Sequence, residues 1–191
     1  MLPRSPYAVA KAASYWVVTN YRNAYNLFAC SGILSNHESP LRPKRFVTRK
    51  IIRAAAEIAS GIPQRLRLGN LSVERDWGWA PEYVEAMWLM LQQDQPRDFV
   101  IATGHSFTLE DFVKTAFEAI GKNWEDFVDI DSNLLRPSDI QHSKVNPSQA
   151  NHVLGWRAQR TMPDVVRAMV EGEFDELKNE EKAPIPTNIN S

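Results

Sequence analysis

Near the start of the sequence a tyrosine and a lysine stand four residues apart, in Tyr7-Ala-Val-Ala-Lys11. On a helix that spacing places the phenol and the ammonium on one face, within reach of a common partner. A free phenol titrates near ~10 and is a poor base at neutral pH. A lysine cation held beside it favours the phenolate and lowers that value, which makes proton transfer at an alcohol feasible. Tyr-x-x-x-Lys alone arises by chance in many helices, so the pair by itself reads first as ordinary helix surface.

A helix able to carry the pair is written around it. Ser5 and Pro6 form an N-cap and a first-turn proline, and Val9, Ala13, Trp16, Val17 and Tyr21 recur at helical spacing to about Tyr25. Leu27 to Leu34 reads as a buried strand broken by Gly32, with Cys30 as an unreactive strand residue. Asn36 to Lys44, with Pro40 and Pro43, reads as a loop. A second amphipathic helix is expected from Phe46 to Ser60, with Val47, Ile51, Ala54, Ala55 and Ile58 inward and Gly61 as its stop. A short strand holds Leu66 and Leu68. Pro81 starts a third helix carrying Val84, Met87, Trp88 and Leu91, and Phe99 to Thr103 is another strand. Thr108 with Asp111 spells a capping box for a helix from Leu109 to Ile120. A short helix spans Pro147 to Leu154, and a long one runs from Pro163 to about Lys178. Trp16, Trp88 and Trp156 are expected in the core, and Glu180 to Ser191 as a mobile tail.

The pattern is α/β, helix-rich with short strands between, although it opens on a helix with no strand before it. The 191 residues suffice for a real core. With 22 basic and 23 acidic side chains and a net charge of −1, nothing marks a general nucleic-acid or membrane-surface binder. No apolar run is long enough to span a bilayer, and the N-terminus lacks the features of a signal peptide. Cys30 is the lone cysteine and the four histidines never fall at metal-ligand spacing, so no metal is expected. A reducing cytoplasm is the expected setting.

The stretch Pro3-Arg-Ser-Pro-Tyr-Ala-Val-Ala-Lys11 resembles the catalytic helix of extended short-chain dehydrogenases. Further motifs follow in order: Asn36-His37-Glu38-Ser39-Pro40, Phe46-Val47-Thr48-Arg49-Lys50, Leu68-Gly69-Asn70, Arg75-Asp76-Trp77-Gly78, Asp98 to Gly104, and Arg136-Pro137. Together they resemble the GDP-mannose 4,6-dehydratase family over about residues 3 to 172, far more specifically than Tyr-x-x-x-Lys does alone. The Asn-His-Glu-Ser-Pro loop argues for this family over other extended sugar-nucleotide reductases or epimerases.

That resemblance implies an NADP-binding Rossmann domain, a smaller lobe for the sugar nucleotide, and homo-oligomers, dimeric or tetrameric. The family's cofactor takes hydride from C4 of GDP-mannose, water leaves across C5 and C6, and hydride returns to C6, giving GDP-4-keto-6-deoxymannose. Tyr7 matches the base at the C4 hydroxyl, and Lys11 the lysine on the nicotinamide ribose. His37 and Arg42 match cofactor contacts. Asn36, Lys50, Arg75 and Arg136 match residues that bind the GDP-sugar, and arginine forks suit its diphosphate. Asp139 stands where the family has glutamate, Trp79 where it has histidine, and Leu41 where it has a basic residue. Plainer readings stand beside these: Lys50 and Arg53 as a solvated helix face, Arg75 paired with Asp76 or Glu82, Arg136 in a polar turn, and His37 in an exposed loop.

No Gly-x-x-Gly-x-x-Gly occurs in the sequence, and that turn is what lets a backbone approach a dinucleotide pyrophosphate. In the family it lies well upstream of the tyrosine, with the catalytic threonine or serine and glutamate. The expectation is therefore a fragment: an incomplete Rossmann-like sheet with helices over residues 1–61, a sugar-nucleotide lobe over 62–178, and a tail over 179–191. Two outcomes compete for the isolated chain, an incomplete dehydratase without activity and a non-catalytic remnant that binds GDP-sugar. The first helix should expose an apolar face where the absent sheet would lie.

Overall fold

The computed structural model describes residues 3–135 and 140–182. Helix α1 (Pro6–Tyr25) opens it. Ser5 caps the helix by accepting from the Ala8 amide at 3.1 Å, Pro6 occupies the first turn, and Asn26 ends it in the left-handed region at φ 51°. No residue of α1 is buried, and Val9, Trp16, Val17 and Tyr21 all face solvent. A few polar contacts hold its C-terminal end. Arg22 grips Asp98 through both guanidinium nitrogens, at 2.7 and 3.0 Å, and also donates to the Ala29 carbonyl. The paired guanidinium holds the Asp98 carboxyl below the usual carboxylate range.

The strands come as four short pairs among the described residues. Three are parallel: β1 (Gly32–Leu34) with β6 (Phe99–Ile101), β2 (Asn36–Glu38) with β5 (Trp77–Trp79), and β3 (Leu66–Leu68) with β8 (Val128–Ile130). The fourth, β4 (Glu74–Arg75) with β7 (Phe107–Thr108), is antiparallel. The expected strand from Leu27 shrinks to Gly32–Leu34, leaving Cys30 half-buried outside it. The expected loop after Ser35 instead begins with β2. Its polar residues pair with β5 because backbone hydrogen bonds need no apolar side chains.

Helices α2 (Val47–Ala59), α4 (Leu109–Glu118) and α6 (Met162–Lys182) pack on one another and on β3 and β8 in the larger of two hydrophobic clusters. Ile51, Ile52, Ala55 and Ile58 are the inward stripe of α2, while Val47 is exposed. The expected capping box is present on α4, Thr108 and Asp111 satisfying each other's backbone amides. The smaller cluster joins α3 (Ala80–Met90), β6 and α5 (Ser148–Val153), and buries Trp156. Here α3 departs from expectation. It turns Tyr83, Ala86 and Met90 inward and leaves Val84, Met87, Trp88 and Leu91 exposed. The helix carries two apolar stripes, and the one containing small Ala86 makes the close contact. Trp16 and Trp88 are likewise surface residues, each 60% exposed, because neither helix face meets another element.

Helix α2 buries its face among elements from residue 66 onward. The helix expected to end near Lys178 continues to Lys182. Its last turns are tied down by Glu180, which bonds Lys44 at 2.9 Å and Arg53 at 2.7 Å. Residues 183–191 of the expected tail lie outside the described residues.

A network of buried charge fixes the segment after β2. Arg49 is 1% exposed and reaches the Pro40 carbonyl, Glu173 at 2.7 Å, and Glu176. Arg53 joins the same group through Glu57 and Glu173. Burial pushes the Glu173 carboxyl above its ordinary range, against the pull of Arg49 and Arg53. Glu38, fully buried, accepts from Thr48 at 2.8 Å and faces Arg42 at 3.2 Å, and desolvation raises its carboxyl as well.

Candidate functional site

Tyr7 lies in the first turn of α1 and Lys11 one turn further on. The lysine ammonium sits 5.6 Å from the centroid of the phenol ring. Tyr7 is 72% exposed, so this pair opens to solvent at the capped end of the helix. A phenol with an ammonium beside it is an arrangement suited to moving a proton at an alcohol.

A second group of candidates gathers where β2 meets β5. The register places Asn36 beside Trp77 and His37 beside Gly78. His37 Nδ1 lies 2.9 Å from the Ser35 carbonyl, and its ring stacks on Tyr83 at 5.1 Å between centroids and 28° between planes. Under this surface runs a chain of hydrogen bonds. The Tyr83 and Ser35 hydroxyls are 2.5 Å apart, and Ser35 Oγ donates to Asp76 Oδ1 at 2.9 Å. Asp76, 1% exposed, also accepts from the amides of Thr103 at 3.1 Å and Gly104 at 2.8 Å. Burial holds the Tyr83 phenol well above its ordinary value, so it acts as a hydrogen-bonding hydroxyl and not as a base. Asn36 and Arg75 each stand one residue along the chain from this bonded Ser35–Asp76 pair.

Arg75 donates to the carbonyls of Glu74 at 2.7 Å and Ile140 at 2.6 Å. The Glu74 amide bonds Gln141 and the Ser143 amide bonds Glu74, so residues 140–143 run along β4. Asp76 bonds Ser35 and two amides, and Glu82 accepts from the amides of Gln159 and Arg160. Arg136 and Asp139 lie outside the described residues. Lys50 is exposed on α2 and donates to the Arg67 carbonyl at 2.7 Å, which ties it to β3. Arg42 lies against Glu38 and over the Phe46 ring, 3.8 Å from its centroid.

Sequence reasoning missed Ser35, Asp76, Tyr83 and Glu38 as parts of this arrangement. The available signal was Gly78, between two tryptophans on a strand. A Cβ there would come within 2.5 Å of the Tyr83 hydroxyl oxygen and 2.7 Å of Cζ, so the glycine marks a ring packed directly on the strand. Among the described residues no three His, Cys, Asp or Glu side chains converge as metal ligands, and no helix is long and apolar enough to cross a membrane.

Comparison with known proteins gives one answer along nearly the whole chain. The family model for GDP-mannose 4,6 dehydratase matches residues 1–169. GDP-mannose 4,6 dehydratase 2 of Arabidopsis thaliana is 49% identical over 178 residues, covering 93% of this chain and 48% of its own length. The human GDP-mannose 4,6 dehydratase is 43% identical over 198 residues, covering 95% of this chain and 53% of its own. The chain thus spans about half the length of the curated relatives it matches. Among solved structures, RMD from Pseudomonas aeruginosa, determined with NADPH, superposes with a TM-score of 0.82 at 19% identity, over 92% of this chain and 57% of that one. At that identity the likeness bears on the fold, which is that of an α/β chain with parallel strand pairs. The family match and the identity of the relatives carry the rest: the chain belongs to the GDP-mannose 4,6-dehydratase family.

Proposed function

We propose that this chain carries the tyrosine–lysine pair and much of the sugar-nucleotide site of a GDP-mannose 4,6-dehydratase. The reaction converts GDP-mannose to GDP-4-keto-6-deoxymannose and water, a step in GDP-deoxysugar biosynthesis. The observation that carries the reading is the match over residues 1–169, with Tyr7 and Lys11 on one face of α1. The whole enzyme would be a cytoplasmic homo-oligomer.

Tyr7 is the proton acceptor at the sugar hydroxyl, with the Lys11 ammonium beside its ring. Asn36, Lys50, Arg75, Arg136 and Asp139 bind the GDP-sugar, the cations meeting its diphosphate. The nicotinamide cofactor, NADP in this reading, supplies hydride transfer when bound. The residues present fit its nicotinamide-ribose end: Tyr7 and Lys11 share an open face, His37 keeps a ring nitrogen for a ligand, and Arg42 lies nearby in sequence. No glycine-rich turn for its pyrophosphate occurs in the 191 residues. The chain alone is therefore expected to bind GDP-mannose weakly and to lack turnover.

Two measurements test this. Titration of the chain by calorimetry should show weak GDP-mannose binding and no tight binding of NADP, and tight NADP binding would refute the reading. In a chain joined to the amino-terminal half of a curated relative, Tyr7→Phe should lower turnover by roughly 10²–10⁴-fold while GDP-mannose binding survives. Near-normal turnover would remove Tyr7 from the mechanism.

A further inference from the structure

The surroundings of His37 form a built device whose parts come from four places in the chain. In a parallel pair, residues in register send their side chains to the same face. His37 is in register with Gly78, so the missing side chain of Gly78 leaves a gap beside the imidazole. Tyr83 fills that gap. Its ring lies where a Cβ on residue 78 would be, stacks on His37, and is backed edge-on by Trp156 at 5.9 Å. The hydroxyl of Tyr83 reaches Ser35 Oγ, whose own hydrogen goes to buried Asp76. Tyr83 is thus the donor in that contact, and Ser35 is pinned through its side chain to a carboxylate that also clamps the turn after β6.

Ser35 is also the residue whose carbonyl meets His37 Nδ1. A carbonyl oxygen accepts only, so Nδ1 carries the proton. In the neutral ring Nε2 then has no hydrogen and presents a lone pair. That lone pair repels a phosphate oxygen and welcomes an O–H or N–H group.

We propose that Tyr83, Ser35 and Asp76 are positioning residues for His37, holding it as the Nδ1–H tautomer so that Nε2 accepts from a hydroxyl or carboxamide of the nicotinamide nucleoside. This rests on the reading of His37 as a cofactor contact and assigns it to the ribose–nicotinamide end, away from any phosphate.

The test uses long-range proton–nitrogen NMR correlations on the histidine-labelled 191-residue chain at pH 8, with His37→Gln to assign the signals. His37 should appear as a single Nδ1–H species. Tyr83→Phe and Ser35→Ala should convert it to a mixture with the Nε2–H form. Ser35→Ala keeps the ring packing and stands as the test if Tyr83→Phe does not fold. An Nε2–H ring in the wild type, or an unchanged Nδ1–H ring in the folded variants, overturns the positioning role. Millimolar nicotinamide riboside should shift the His37 Nε2 resonance, and inorganic phosphate should leave it in place. A silent Nε2 with the riboside, or a larger shift with phosphate, overturns the ligand class. Backbone amide shifts on adding GDP-mannose report the dehydratase reading separately in the same samples, so the two can fail independently.

Discussion

Replacing Arg49 by methionine tests the buried charge network. The guanidinium is 1% exposed and meets fully buried Glu173 at 2.7 Å, with Glu176 and the Pro40 carbonyl as further partners. Methionine fills much of the space but leaves Glu173 with Arg53 alone, at 3.1 Å. Breaking a buried pair from one side costs about 3–5 kcal/mol, a large part of a typical domain's total stability. At a urea slope of ~2 kcal/mol/M that lowers the unfolding midpoint by about 1.5–2.5 M. The sign of the pH dependence follows from Glu173. Burial already raises its carboxyl above the ordinary 4.5, and Arg49 opposes that rise. In the variant the folded value climbs further, so stability is greatest below the unfolded value and is lost as pH rises through the folded one. Arg49→Met should therefore be most damaging near pH 7 and recover toward pH 4.5. Replacing Glu173 by methionine as well should restore stability to within about 2 kcal/mol of the parent, since no lone buried charge remains. Urea melts at pH 7 and pH 5 read this directly. A cost under ~1 kcal/mol, or one indifferent to pH, would refute the reasoning.

Three further outcomes are expected. Gly78→Ala drives a methyl into the buried Tyr83 ring and should cost about 1–3 kcal/mol by overpacking; a neutral melt would mean that the ring moves freely. The Asp98 carboxylate, held low by Arg22, contributes stability above its ordinary 3.8 that is lost as pH falls through the lower folded value. Amide exchange in the last turn of α1 should accordingly accelerate in acid, and Asp98→Asn should reproduce that at pH 7; equal protection in both proteins would dismiss the anchor. Lysine at Trp16 and Val17, which are 60% and 55% exposed, should reduce light scattering by the concentrated chain. Undiminished scattering would place self-association elsewhere.

Local signals were readable in the sequence wherever one segment held the whole explanation. The cap at Ser5, the box of Thr108 and Asp111, and the left-handed glycines at 61, 121 and 155 mark their helices by chemistry complete within a few residues. The Tyr7–Lys11 face was readable for the same reason. What escaped depends on partners far along the chain. β2 is a strand only because Trp77–Trp79 lies beside it, and its polar residues carry no alternation. Periodicity on α3 offers two stripes, and only packing against β6 and Trp156 selects the one with Tyr83. Ser35, Asp76 and Tyr83 look like ordinary polar residues until hydrogen bonds across 41 and 48 positions join them. Arg53 reads as part of a solvated helix face, because its counter-charges Glu173 and Glu180 lie on α6.

The separation between α2 and α6 bears on how the polypeptide is made. Arg53 and Glu173 are 120 residues apart, an interval a ribosome takes roughly 6–24 s to translate at ordinary elongation rates. Throughout that time α2 has emerged without α6 to cover it, and Arg49 and Arg53 lack the Glu173 carboxylate that receives them. The larger core closes only once α6 is free to swing back, so the emergence of α6 sets the moment at which this core can form. Contacts of such long sequence range fold slowly, and the nascent chain meanwhile presents a greasy, positively charged segment to whatever holds unfinished polypeptides in the cell.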